Sequence, residues 1–280
     1  MTEVRIPGGT FAAASAVRSL GDGTFTADLP AEWTVASRPH GGFLMTLLAR
    51  AATGSVLAAA GTGPVDPLAV SAEFLRPPEV GPVLLRTTVR KLGRTASVVG
   101  VSLEQRGRAC VAGSVTVGVL PDLDDDDPVA WSDLPDVPAK PPANALDVAA
   151  MPAASSFHLT SACDIRLDPM NTGFLHSKAG DPLTLRLWVM PRAGVVDPLF
   201  ALVAGDVSMP VALNLGRYGW SPTVQLTALL RARPAPGWLR LEVTSRAVHG
   251  QWFDEDATVI DSAGRLVCQC RQLALTPIQR

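Results

Sequence analysis

A chain of 280 residues, 47% of them hydrophobic, is long enough for one large or two ordinary globular domains and can build a sizeable core. Its 24 basic and 26 acidic side chains leave a net charge of −2, with Arg and Lys scattered rather than clustered, which argues against a nucleic-acid partner. Cys110, Cys163, Cys268 and Cys270 lie in apolar strand-like stretches, apart from His40, His158, His176 and His249, so the expectation is reduced core thiols, no metal and no cofactor.

Residues 1–20 lack the basic start and unbroken apolar run of a secretory signal, and the expected location is the cytoplasm. The most hydrophobic segment, residues 43–60, carries Arg50 and Gly54; it reads as a buried helix from about residue 41 to 60 and not as a membrane span. Alternating patterns then predict strands near residues 68–75, 83–92, 96–106 and 109–119. Between residues 121 and 154, the run Asp124 to Asp127 and many prolines oppose pairing in a central sheet and predict an extended linker. A second apolar stretch predicts a helix over about residues 198–215, followed by strands near 223–230, 238–249, 251–261 and 266–276.

The second half repeats the first. Pro67 falls on Pro222, Leu75-Arg76 on Leu230-Arg231, and the turn pair Gly107-Arg108 on Gly264-Arg265 after a small insertion. Residues 1–120 and 155–280 are therefore expected to be two copies of one unit, joined by the linker at 121–154. A helix of nearly twenty mostly apolar residues spans roughly 30 Å and must be covered almost all round, which a strongly curved antiparallel sheet does. The predicted class is α+β, a double hotdog.

A set of motifs sits on this repeat. Arg38-Pro39-His40-Gly41-Gly42-Phe43 leads into the first helix, and Phe74-Leu75-Arg76-Pro77 follows it. Gly205-Asp206 lies within the second predicted helix, ahead of Ser221-Pro222-Thr223 and of Gly264-Arg265-Leu266-Val267 before Gln272. In this order and placement the chain resembles the double-hotdog acyl-CoA thioesterases of the thioesterase II type, in particular a thioesterase-like branch common in actinobacteria. The resemblance implies hydrolysis of an acyl-CoA to free acid and CoA, with an Asp, a Thr and a Gln orienting the attacking water; the matching residues are Asp206, Thr223 and Gln272. The chain departs from the family in having Val-Gln-Leu-Thr after Thr223, where the family carries an Asp-His pair.

The residues can also be weighed individually. Asp206 is the sole ionisable residue between positions 199 and 215, and an ionised carboxylate in such surroundings costs several kcal/mol unless partners compensate. It is either a general base or a structural carboxylate paired with an arginine or reaching solvent. Alternation groups Gln272 with Cys268, Cys270 and Ala274, so a polar amide faces the apolar side, held either by a water shared with Asp206 or by backbone. Thr223 groups with Gln225 and Thr227 and would face solvent unless its strand opens on a bulge or lies at the cleft between the repeats. Gly41 and Gly42 offer helix N-terminal N–H groups to a thioester oxygen, or simply a tight turn into the helix. His40 is a substrate contact or a helix cap. Glu73 is expected on the solvent face, and Arg50 is expected to carry its charge to the surface or to pair with Asp206.

No G-x-S-x-G elbow or Ser/Cys–His pairing is evident, so the expected nucleophile is water. The competing readings are a non-catalytic acyl-CoA or lipid binder on the same fold and a hotdog enoyl-CoA hydratase, whose helix pairs Asp with a nearby His that Asp206 lacks in sequence. The expected partner is the acyl-CoA substrate, with a homo-oligomer possible through sheet edges or helix faces.

Overall fold

The computed structural model describes residues 10–61, 65–122 and 131–277. A helical turn, α1 (Phe11–Ala14), precedes the hairpin β1 (Arg18–Gly21) and β2 (Thr24–Leu29) and a small ribbon of β3 (Thr34–Val35) and β4 (Arg38–Pro39). The long helix α2 (Gly41–Ala60) follows, then β5 (Asp66–Phe74), β6 (Gly81–Lys91), β7 (Ser97–Gln105) and β8 (Arg108–Gly118). The second half contains β9 (Leu146–Asp147), β10 (Cys163–Leu167), β11 (Thr184–Pro191), α3 (Pro198–Ala204) and β12 (Thr223–Leu230). It ends with β13 (Leu239–Thr244), β14 (Val248–His249), β15 (Trp252–Ile260) and β16 (Leu266–Leu275).

Apart from the β3–β4 ribbon, the strands join one antiparallel sheet, ordered β1-β2-β6-β7-β8-β5-β12-β16-β15-β13-β11-β10-β9, with β14 on β15. The order is a mirror about its middle: β5, β8, β7, β6, β2 and β1 run outward on one side, and β12, β16, β15, β13, β11 and β10 on the other. The halves meet where β5 pairs with β12, from Gln225 opposite Glu73 to Leu229 opposite Ala69. This is the repeat read from Pro67 and Pro222, now closed into a double hotdog.

Helix α2 matches its predicted span because both ends carry stop signals. His40 caps the start, its side chain accepting from the Phe43 N–H, and Gly61 closes the end at φ 81°. Phe43, Met45, Leu47, Leu48 and Ala49 are fully buried, so the helix is wrapped by sheet, which explains why a segment apolar enough for a membrane is a core element.

Helix α3 is shorter than predicted. It ends at Ala204 after seven residues, and Gly205 is its C-cap. A helical φ/ψ is disfavoured at the residue before proline, and proline has no N–H to donate, so Pro210 prevents the predicted continuation to residue 215; residues Val211–Leu215 form a separate 3-10 turn. Asp206 therefore sits in the turn after the helix and not in its middle. The strand predicted over 238–249 is likewise split, because the Asp254 carboxylate takes the N–H groups of Arg246 and Ala247 between β13 and β14. The acidic run of the predicted linker lies outside the described residues. Its later part lies against the second half, where the Trp188 indole donates to the Pro138 carbonyl at 2.7 Å and β9 pairs with β10.

Candidate active site

Two helix ends, one from each half, build the first side of the site. Helices α2 and α3 run antiparallel and close: Thr46 Oγ1 donates to the Leu199 carbonyl at 3.2 Å, and a Cβ on Gly42 would stand 2.5 Å from the Leu202 oxygen and 2.8 Å from the Val203 Cα. Glycine at 42 is thus required by approach of backbone to backbone. At Gly41 a Cβ would stand 2.6 Å from Asp206 Oδ2. The two glycines let the turn after α3 fold over the N-terminus of α2.

There Asp206 is held by residues far away in sequence. The Gly42 N–H donates to its Oδ2 at 2.7 Å, and the His40 ring lies 3.5 Å from the same oxygen. His40 Nδ1 accepts from the Phe43 N–H at 3.3 Å, which leaves the ring hydrogen on Nε2, where it donates to the Asp206 carbonyl at 2.9 Å. The Asp206 side chain is 11% exposed. Burial pushes its carboxyl above the ordinary value, while the His40 ring and the Gly42 N–H pull it back.

The second side comes from the C-terminal sheet. Pairing of β12 with β16 slips between Thr223 and Gln225, and this bulge turns Thr223 inward, off the face that alternation assigns it. Its Oγ1 donates to Gln272 Oε1 at 2.6 Å. Gln272 lies on the inner face of β16 with buried Cys268, Cys270 and Ala274, as its alternation predicts, and its amide Nε2 donates to Glu255 Oε2.

Glu255 is a site residue that the sequence reading missed. It is 4% exposed and its Oε1 accepts from the Val211 N–H at 2.6 Å. Burial pushes its carboxyl up to about 8. A signal was present: alternation along β15 groups Glu255 with buried Phe253, Ala257 and Val259.

His40, Gly41, Asp206, Thr223, Glu255 and Gln272 all line one cavity of about 460 Å³, whose walls include Leu44, Phe74, Met209 and Phe253. A smaller cavity of about 10 Å³, the size of one water, lies between Asp206, Ser208, Glu255 and Gln272. Gly42 is behind the cavity wall, and its N–H is taken by Asp206 instead of being free for a substrate oxygen. Arg38 and Arg76 line the same cavity, with the Arg38 guanidinium 4.6 Å above the Trp220 ring. Arg50 is bound elsewhere, donating to Ser15 Oγ at 3.0 Å, and Glu73 is exposed. The four cysteines are buried and unbridged, and no group of three or more metal-ligating side chains is found among the described residues.

Residues 29–118 match the family model of the acyl-CoA thioesterase N-terminal domain, and residues 133–276 that of the C-terminal domain. An uncharacterized protein of Mycobacterium tuberculosis is 40% identical over 273 residues, an alignment covering 91% of each chain. Among solved structures, a provisional thioesterase II from Thermobifida fusca is similar with a TM-score of 0.81 and 28% identity, over 98% of this chain and 99% of that one. A hot dog fold protein from Alicyclobacillus acidocaldarius has a TM-score of 0.76 at 20% identity, covering 96% and 98% of the two chains.

Proposed function

The chain belongs to the acyl-CoA thioesterase family and is a thioester hydrolase, and on that basis we propose that it cleaves fatty acyl-CoA esters by direct attack of water, with Asp206 as general base. The observation that carries this reading is the position of Asp206: a nearly buried carboxylate, oriented by the Gly42 N–H and His40, on the wall of a cavity it shares with Thr223 and Gln272. Thr223 and Gln272 orient the water. Asp206 takes its proton as the water oxygen bonds to the thioester carbon, a contribution of about 10² to 10⁴ in rate. The carbonyl oxygen, which gains charge, points to the N-terminus of α2, where Gly41 leaves the backbone open and the helix dipole is positive. Collapse of the tetrahedral adduct breaks the carbon–sulfur bond, and the proton on Asp206 passes to the leaving thiolate, giving free acid and CoA. The apolar cavity walls receive the acyl chain.

The fold supplies Asp206 with the histidine that its neighbouring sequence lacks. That ring is committed, however, with Nδ1 capping α2 and Nε2 on the Asp206 carbonyl. A hydratase needs a histidine free to exchange a proton with substrate, so the hydrolase reading is favoured. The test is release of free thiol from acyl-CoA esters of short to long chain by wild type and Asp206→Asn. Loss of at least about 10²-fold in kcat by the isosteric variant is expected. Equal rates would remove Asp206 from the chemistry, and binding of acyl-CoA without turnover by wild type would identify a carrier or sensor instead.

A further inference from the structure

Glu255 stands at the end of a directed chain of hydrogen bonds. Both its oxygens accept, Oε1 from the Val211 N–H at 2.6 Å and Oε2 from Gln272 Nε2. With Glu255 ionised neither oxygen can donate, and the Gln272 atom that faces it is the amide nitrogen. The atom that faces Thr223 is then the amide oxygen, and Thr223 spends its one hydroxyl hydrogen on it at 2.6 Å. What remains of the Thr223 oxygen toward the cavity is lone pairs.

We propose that Glu255 is a positioning residue of the hydrolytic site, which fixes the sense of the Gln272 amide and so makes Thr223 an acceptor for the attacking water. The proposal rests on the reading of Asp206 as the base that takes the water's other hydrogen. It goes beyond the Asp, Thr and Gln set by adding a second carboxyl, which flanks the water-sized cavity together with Asp206 and Gln272.

The arrangement depends on the charge of Glu255. Protonated, it becomes a donor and fits a reversed amide, with Gln272 Oε1 toward Glu255 and Nε2 toward Thr223; the threonine hydrogen then turns into the cavity and opposes the water. Burial, and after it the charges of Asp206 and Asp254, push Glu255 up to about 8 against the pull of the Val211 N–H and the Gln272 amide. The groups around it are Asp206 from the turn after α3, with His40 behind it, and Cys270 and Gln272 from β16. On the opposite face of the same strands, Asp256 pairs with Arg271. The active form is the ionised one, so its contribution is present above the Glu255 titration and is lost as pH falls through it.

The experiment is a set of kcat and KM profiles from pH 6 to 9.5 on one acyl-CoA ester, for wild type, Glu255→Gln, Gln272→Ala, the double variant and Asp206→Asn. A single ionisation near 8 predicts a rise in wild-type kcat of about tenfold between pH 7 and 9. Glu255→Gln should lose that limb and about tenfold or more in kcat at pH 9, with KM within about twofold. Gln272→Ala should lose the same limb, and the double variant should be no slower than Gln272→Ala alone, since Glu255 acts through that amide. A limb near pH 8 retained in either single variant, an effect confined to KM, or losses that multiply in the double variant would each overturn the proposal. Should Glu255→Gln fail to fold, the Gln272→Ala profile decides alone. Full activity in Asp206→Asn would instead remove the base on which the proposal rests, a separate outcome.

Discussion

Substitution of Gly42 by Ala tests whether the close approach of α2 and α3 is what holds Asp206. The new Cβ would meet the Leu202 oxygen at 2.5 Å and the Val203 Cα at 2.8 Å, and both are backbone atoms that no side-chain rotation can move. Restoring an ordinary contact of 3.4 Å requires the helices to part by 3.4 − 2.5, about 0.9 Å. A shift of that size lengthens the 2.7 Å bond from the Gly42 N–H to Asp206 beyond hydrogen-bonding range. Overpacking costs about 1–3 kcal/mol and a hydrogen bond to a charged group about 1.5–3 kcal/mol, so unfolding free energy should fall by about 2.5–6 kcal/mol. With that donor gone the Asp206 carboxyl rises further, and the limb of the pH–rate profile that reports it should move to higher pH. Urea denaturation followed by circular dichroism, together with thiol release across pH, reads both effects. Gly41→Ala supplies the contrast, because its Cβ would meet side-chain tips, Asp206 Oδ2 at 2.6 Å and the Phe74 ring at 3.2 Å. It should lose about 10²-fold in kcat by displacing the carboxylate and cost about 1.5–3 kcal/mol of stability for the lost Gly42 N–H bond, without the overpacking that Gly42→Ala adds. A Gly42→Ala protein within about 0.5 kcal/mol of wild type, with an unshifted profile, would refute the reasoning.

Stability itself should depend on pH through the buried carboxyls. Between the ordinary value of 4.5 and about 8, folded protein retains a proton on Glu255 that the unfolded chain has released, so stability is highest at the acid side of that window and falls as pH rises through it. The fall is on the order of a few kcal/mol. Asp197 and Asp206, also pushed up by burial, add in the same sense. Urea midpoints from pH 5 to 8.5 should decline in wild type and decline less in Glu255→Gln; equal slopes would contradict the assignment. Phe200→Ala should cost about 3–5 kcal/mol, because Phe200 is fully buried, packs edge-on against Phe11 at 5.3 Å, and anchors a helix of only seven residues. A loss below about 1 kcal/mol in the same denaturation assay would mean that α3 is held by something other than this packing.

Much of the architecture was legible because its signals are local. The repeat, the span of α2 with a cap at each end, and the strands that follow each helix, save the split of 238–249, follow from periodicity and turn residues within a few positions of one another. Gln272 could be placed on the inner face of β16 for the same reason. The bar to a helix reaching residue 215 was also written locally, in Pro210, but the apolar residues on both sides of it masked the break. Glu255 was hidden in a similar way: it lies in the run Asp254-Glu255-Asp256, and three consecutive acids read as a solvated strand even though alternation turns the middle one inward.

What the sequence determined by itself is the double hotdog and the presence of a lone carboxylate that needs partners, since hydrophobic periodicity and the cost of burying charge act residue by residue. What the tertiary structure decided is who those partners are. His40 and Gly42 reach Asp206 across 166 and 164 residues, and the Thr223 hydroxyl meets Gln272 only because a bulge breaks the alternation of β12. Hydrogen bonds between the halves depend on the approach of two helix ends to within a bond length, and no local pattern in the chain encodes that distance.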